Sequence, residues 1–166
     1  MIEVQPIHTV NTLKRTTSDD LDFQNLVTLL DIDLKIRDGE DHAFYARFNK
    51  IDSIRNAVVY YDAEVAIGCG AFKKYDNQTV EIKRMFVQPE FRGKGIGHAI
   101  LEELETWSVE LNYSECILET GIKQPEAIRL YRKAGYVIIP NYGQYENVET
   151  SVCMKKSISL KQTNHH

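Results

Sequence analysis

No apolar run in this sequence approaches the ~20 residues that span a bilayer, so a membrane is not an expected partner. Residues 1–10 lack a basic segment followed by an apolar one, so no secretory signal is expected and the expected location is cytoplasmic. Lys and Arg form no block and the net charge is −4, which argues against nucleic acid or an anionic lipid surface as the main partner. Cysteine is scarce. Cys69, Cys116 and Cys153 are single, widely spaced and set among apolar residues. No CxxC or Cys/His cluster suggests a metal site, and reduced core thiols are expected. Repeats, low-complexity stretches and Pro/Gly/Ser linkers are also missing, so residues 1–166 are expected to form one domain. His165 and His166 are given no role.

What is present is a hydrophobic fraction of 43%, enough for a sizeable core, with 27% charged residues to keep its surface wet. Ser18-Asp19-Asp20 reads as a helix start, followed by Leu21, Leu26, Leu29, Leu30 and Leu34 near helical spacing, with Gly39 as the stop. A short second helix is expected over 41–48. Residues 57–61, 65–73 and 80–87 read as three strands of an antiparallel meander, with turns at Asp62-Ala63 and Asp76-Asn77. A helix follows over 95–112, with Ile96, Ile100, Leu104, Trp107 and Leu111 on one face. Residues 115–119 read as a strand. Pro125 opens a helix through Tyr131, and Gly135 caps it. Residues 136–139 and 148–154 read as the last strands. The order is α, then meander, then βαβαββ, which predicts a mixed α/β sheet with helices on both faces.

The richest segment is Val87-Gln88-Pro89-Glu90-Phe91-Arg92-Gly93-Lys94-Gly95-Ile96-Gly97. A strand runs into a glycine-rich turn that opens a long helix. Glycine lets a ligand approach the main chain, and the first N–H groups of a helix attract phosphate. The dinucleotide pattern GxGxxG fails at His98, and the Walker A pattern fails at Gln88.

Arg92-x-x-Gly95-x-Gly97, preceded by Met85-Phe86-Val87 and Pro89, resembles the coenzyme A pyrophosphate motif of the GNAT acyltransferases. Leu118-Glu119-Thr120-Gly121, then Gln124-x-x-Ala127-Ile128-x-Leu130-Tyr131-x-x-x-Gly135-Tyr136, resembles the second half of that family, in the right order and separation. The resemblance spans about residues 57–155. It implies a largely antiparallel sheet splayed open between the fourth and fifth strands, acetyl-CoA as acyl donor, and an amine as acceptor. Main-chain groups of Met85, Phe86 and Val87 would hold the pantetheine arm, with the Val87 N–H facing the acyl carbonyl. Amides of Arg92, Gly93, Lys94, Gly95, Ile96 and Gly97 would take the pyrophosphate. Gln124 stands where the family commonly has an asparagine that contacts the cofactor.

Making an amide requires deprotonating an amine of pKa near ~10.4, stabilising the carbonyl oxygen, and protonating or stabilising the thiolate. By the same resemblance, Tyr131 is the candidate acid at sulfur. Glu81 and Glu119 are candidate bases, although Glu81 could simply pair with Lys83. At about 3.3 Å per residue, Glu81 would sit roughly 20 Å before Val87, which favours a water relay. The acceptor would lie near residues 31–49 and 141–147. Asp31, Asp33, Asp38, Glu40 and Asp41 could draw in a cation there, and Tyr142 and Tyr145 could form a wall. A small amine or amino acid is favoured over a protein tail. A non-catalytic acyl-CoA-binding module is the alternative reading. A homodimer is the candidate assembly, with oligomeric state left open.

Overall fold

A computed structural model describes residues 10–38 and 53–159. Strand β1 (Asn11–Thr16) precedes helix α1 (Leu21–Asp38). The meander comprises β2 (Asn56–Asp62), β3 (Val65–Lys74) and β4 (Thr79–Val87). Helix α2 (Ile96–Glu110), β5 (Glu115–Gly121), α3 (Pro125–Lys133), β6 (Val137–Ile139) and β7 (Ser151–Ser157) follow. The seven strands form one sheet in the order β1-β2-β3-β4-β5-β7-β6, antiparallel except for the β4–β5 pair. The expected α/β class with helices on both faces is what the chain adopts. The helix expected over 41–48, the stop at Gly39 and the two final histidines lie outside the described residues. Among the described residues, no helix is long and apolar enough to cross a membrane.

Two apolar layers sandwich the sheet. On one face, Phe23, Leu26, Val27 and Leu30 of α1 pack on Ala57, Val59, Cys69, Ala71 and Phe86. On the other, Ile96, Ile100, Leu101 and Leu104 of α2 join Val58, Val80, Ile82, Leu118 and Met154. Asp20 caps α1, its Oδ1 accepting the Phe23 N–H at 3.1 Å, as the Ser-Asp-Asp signal predicts. The helix faces need correction. Leu21 (73% exposed) and Leu29 (41%) point outward, because the core stripe is Phe23, Leu26, Val27 and Leu30 at i, i+3, i+4 and i+7. In α2, Leu101 is buried while Leu111 is exposed, just past the helix end.

Strand β1 is not among the elements the sequence predicts, and among the described residues it precedes the first helix. Its Asn-Thr-Leu-Lys-Arg-Thr has one apolar residue and no alternation. An edge strand needs only one partner, here β2 from Asn11↔Asp62 to Thr16↔Ala57, and exposed charge on such an edge discourages further pairing. The last strand begins at Ser151 rather than 148. The Asn141 side chain donates to the Val148 and Ser151 carbonyls at 2.9 and 3.2 Å and holds the residues between them in the loop.

Candidate active site

The site begins with a defect in β4. Cys69 pairs with Phe86 and Ala71 with Lys83, so Gly70 alone faces both Arg84 and Met85. This is a β-bulge, and Arg84 takes the left-handed conformation there, at φ +61°. The bulge reverses which side chains face which layer. A Cβ on Gly70 would lie 2.5 Å from Met85 Sδ and 2.9 Å from carbons of Ile100 and Leu104, so Met85 faces α2. Glu81 and Lys83 lie across from Lys73 and Ala71 and face the α1 layer. The uninterrupted alternation that would put Glu81, Lys83 and Met85 on one face is therefore broken at Arg84.

Just before the bulge, β4 leaves β5. The two are paired only at Thr79↔Glu115, Val80↔Cys116 and Glu81↔Ile117, whereas β5 pairs with β7 along its whole length. A right-handed twist with no further ladder to hold the strands opens a wedge between the fourth and fifth strands. The edges of β4 and β5 beyond Glu81 and Ile117 line it.

Two cavities share this wedge. The larger, about 780 Å³, is lined by Met85, Phe86 and Val87 of β4, by Arg92, Gly93, Gly95, Ile96 and Gly97, and by Gln124 and Tyr131. Lys94 is the one residue of the turn whose side chain turns away, stacking over Phe91 at 5.6 Å. Gly95, at φ +83°, is the N-cap of α2, and Gly93 sits at φ +79°. The turn thus presents the first N–H groups of a fifteen-residue helix to the cavity, and these lack intrahelical acceptors. Arg92 folds back, with Nε donating to the Val87 carbonyl at 2.8 Å and Nη2 standing 3.6 Å from Asp33. Its side chain pins the turn to the end of β4. At the rim, Arg37 pairs with Glu126 and, at 3.3 Å, with Asp33. With Asp31 paired to Arg84 at 2.9 Å, Asp31 and Asp33 are committed to arginines rather than left as an open acidic run. Glu40 and Asp41 lie outside the described residues.

The smaller cavity, about 100 Å³, is lined by Glu81, Lys83, Arg84, Glu119 and Tyr145 among others. Tyr142 donates to Glu81 Oε2 at 2.6 Å, and Lys83 Nζ stands 3.7 Å from Glu81 Oε1 and 3.4 Å from the Tyr145 hydroxyl. Burial holds Lys83 below its ordinary value of 10.5, against the opposing pull of Glu81 and Glu119. Glu119 stands two residues past Ile117, the last partner on β5 and the one opposite Glu81, so it lies about 7 Å farther along β5 than the level of Glu81.

Leu30, Met85, Gln124, Ala127 and Tyr131 line both cavities. Tyr131, on α3, is buried, its ring set edge-on to Tyr136 at 5.8 Å. Burial first, then the charge of Glu119, raises its phenol above the ordinary 10.0, so it stays protonated at any working pH. Apart from Lys94, the candidate cofactor-binding and catalytic residues line the two cavities of one wedge. Arg84 was missed. The available signal was parity: it follows Val80 and Ile82 at apolar positions of the strand, where a buried residue is expected.

The sequence model of the Acetyltransferase (GNAT) family matches residues 24–136. Over 93 residues the chain is 39% identical to the IAA acetyltransferase of Azospirillum brasilense, covering 55% of this chain and 61% of that one. The chain spans about half the length of the curated relatives it matches. Its structure resembles that of a candidate acyl-CoA N-acyltransferase from Klebsiella pneumoniae, with a TM-score of 0.76 and 25% identity over 90% of this chain and 99% of the other. The PaiA N-acetyltransferase of Thermoplasma acidophilum, in complex with coenzyme A, shares the fold with a TM-score of 0.67 at 17% identity, covering 89% of this chain and 98% of that one.

Proposed function

We propose, since the chain belongs to the Acetyltransferase (GNAT) family, that it moves the acetyl group of acetyl-CoA directly to a primary amine, both substrates being bound at once by one domain. The observation that carries this reading is Tyr131 at the junction of a large cavity under a glycine-rich helix start and a small one holding two carboxylates. The residues present suit the donor. The α2 amides meet the pyrophosphate, Met85, Phe86 and Val87 offer an unpaired strand edge to the pantetheine arm, and Gln124 stands beside it. The chain resembles proteins named as acetyltransferases, which supports acetyl as the group transferred.

The Val87 N–H stabilises charge developing on the acyl oxygen. Glu81 and Glu119 accept the amine's proton through water, Glu119 from the nearer position. Tyr131 offers its O–H to the departing sulfur, and its raised phenol guarantees that the proton is present. The acceptor is a small amine or amino acid, as a cavity of about 100 Å³ supports.

The test is release of free thiol from acetyl-CoA with and without a panel of amines. Amine-dependent release supports transfer. Binding of CoA without any amine-dependent release would leave a binding module and sink the proposal.

A further inference from the structure

The small cavity holds a cation that the transfer chemistry does not use. Arg84 is buried, its side chain 3% exposed, in a left-handed backbone position inside a strand. Its Nη1 donates to Asp31 Oδ1 at 2.9 Å. Its Nε is buried and has no hydrogen-bond partner among the described residues. An unmet buried N–H on a charged group destabilises a fold, and left-handed strain at a non-glycine residue adds to that. Both features are concentrated on one residue lining the acceptor cavity.

Resting on the acetyltransferase reading, we infer that Arg84 is the anchor for a carboxylate on the acceptor, so that the substrate is an amino acid or another small amine bearing a carboxylate. A guanidinium edge matches a carboxylate with two parallel N–H···O bonds, and Asp31 already occupies a different nitrogen. The rest of the lining agrees. Glu81 and Glu119 face Lys83 and Arg84 in the same cavity, so the walls carry both signs. A simple diamine would meet Arg84 and Lys83, and a simple anion would meet the two glutamates. A molecule with an ammonium and a carboxylate a few bonds apart satisfies both. Arg84 itself sits in the bulge, between Lys83 and Met85 on the strand that leads to Val87.

The experiment compares amino acids with their carboxamides and with the decarboxylated amines, read as kcat/KM in the wild-type protein. The free acids should exceed both analogues by at least about tenfold, mainly through KM. The carboxylate lacking the amine should inhibit competitively against the acceptor. In Arg84→Met the acid-to-amide ratio should fall to about one, with Arg84→Lys between. If Arg84→Met does not fold, the wild-type ratio and the inhibition decide alone. Amine-dependent turnover with no preference for the acid overturns this inference while leaving acetyl transfer standing. No amine-dependent turnover at all overturns both.

Discussion

The Tyr142 hydroxyl donates a 2.6 Å hydrogen bond to Glu81 Oε2, tying the loop between β6 and β7 to the strand that carries the bulge. Tyr142 also stacks edge-on with Tyr145, whose hydroxyl is 3.4 Å from Lys83. These contacts join Glu81 and Lys83 of the small cavity to two tyrosines of that loop.

Tyr142→Phe is expected to lower kcat/KM for the acceptor about fivefold, since a hydrogen bond to a carboxylate contributes on the order of 1 kcal/mol net where solvent reaches it. Glu81→Gln should act through the same bond. In a double-mutant cycle the combined variant should therefore be no worse than the more damaging single change. Additive losses would mean that Tyr142 and Glu81 act separately.

Position along β5 favours Glu119 for the proton from the amine. In kcat/KM against pH, the wild type should rise along an acid limb, and Glu119→Gln should lose that limb along with rate. Glu81→Gln should lower the rate without removing the limb. If Glu81→Gln alone flattens it, the roles are reversed, and if neither does, the amine is deprotonated without a dedicated carboxylate.

Tyr131→Phe keeps the buried ring and its contact with Tyr136 and removes only the O–H. Turnover should fall about tenfold to a hundredfold, at or below the low end of the ~10²–10⁴ usual for acid catalysis, because a thiolate leaves fairly well unaided. The affinity for CoA should not change. Because burial keeps this phenol protonated, the wild-type profile should show no loss of rate from Tyr131 ionising below pH 10. Equal turnover in the variant, measured where chemistry is slow, would make Tyr131 a packing residue.

Much of this site was legible in the sequence because its motif is local. Gly93, Gly95 and Gly97 sit at a strand-to-helix turn where only a left-handed backbone fits at two of the three, and that requirement is written in adjacent residues. The cap at Asp20 is equally local. What was missed depends on partners distant in sequence. Strand β1 is defined by β2, some forty-five residues away, and carries no pattern of its own. The bulge arises from the pairing of Gly70 against Arg84 and Met85, and strict alternation along β4 would put Met85 on the wrong face. The ion pair of Arg84 depends on Asp31, from α1, fifty-three residues away in sequence.

Gly95→Val separates fold from site. A Cβ at Gly95 would have no atom within 4 Å, so the substitution meets no clash and its effect is conformational, at φ +83°. A left-handed β-branched residue costs on the order of 1–2 kcal/mol, visible as a modest fall in Tm. CoA should stabilise the wild type by about 2.7 kcal/mol at one hundred times its Kd, and this gain should largely vanish in the variant. Gly95→Asn, which tolerates the left-handed region better, should recover part of the Tm. A Gly95→Val protein that still gains the full stabilisation from CoA would put the phosphate site elsewhere.

Three buried cysteines are expected to weaken the fold at alkaline pH. Cys69, Cys116 and Cys153 are buried and unpaired. Burial is the largest cause in each case, pushing Cys153 up to about 11 and Cys69 and Cys116 up to about 12, from an ordinary 9.0. The native state therefore holds three protons that the unfolded chain releases from about pH 9. With folded values raised, the stabilisation is fully present below 9.0 and is lost as pH rises from there through 11 to 12. Tyr131, Tyr136, Tyr142 and Tyr145, all raised above 10.0 chiefly by burial, extend the loss above pH 10. Tm should be flat from pH 7 to about 8.5 and fall steeply above 9. Cys153→Ala should lessen that slope by about one proton per molecule between pH 9 and 11. At pH 8 a thiol reagent should modify the native protein far more slowly than the unfolded one, because the thiolate is the reactive form. A Tm that holds to pH 11, or native thiols that react as fast as unfolded ones, would mean that these side chains are not sealed in the core.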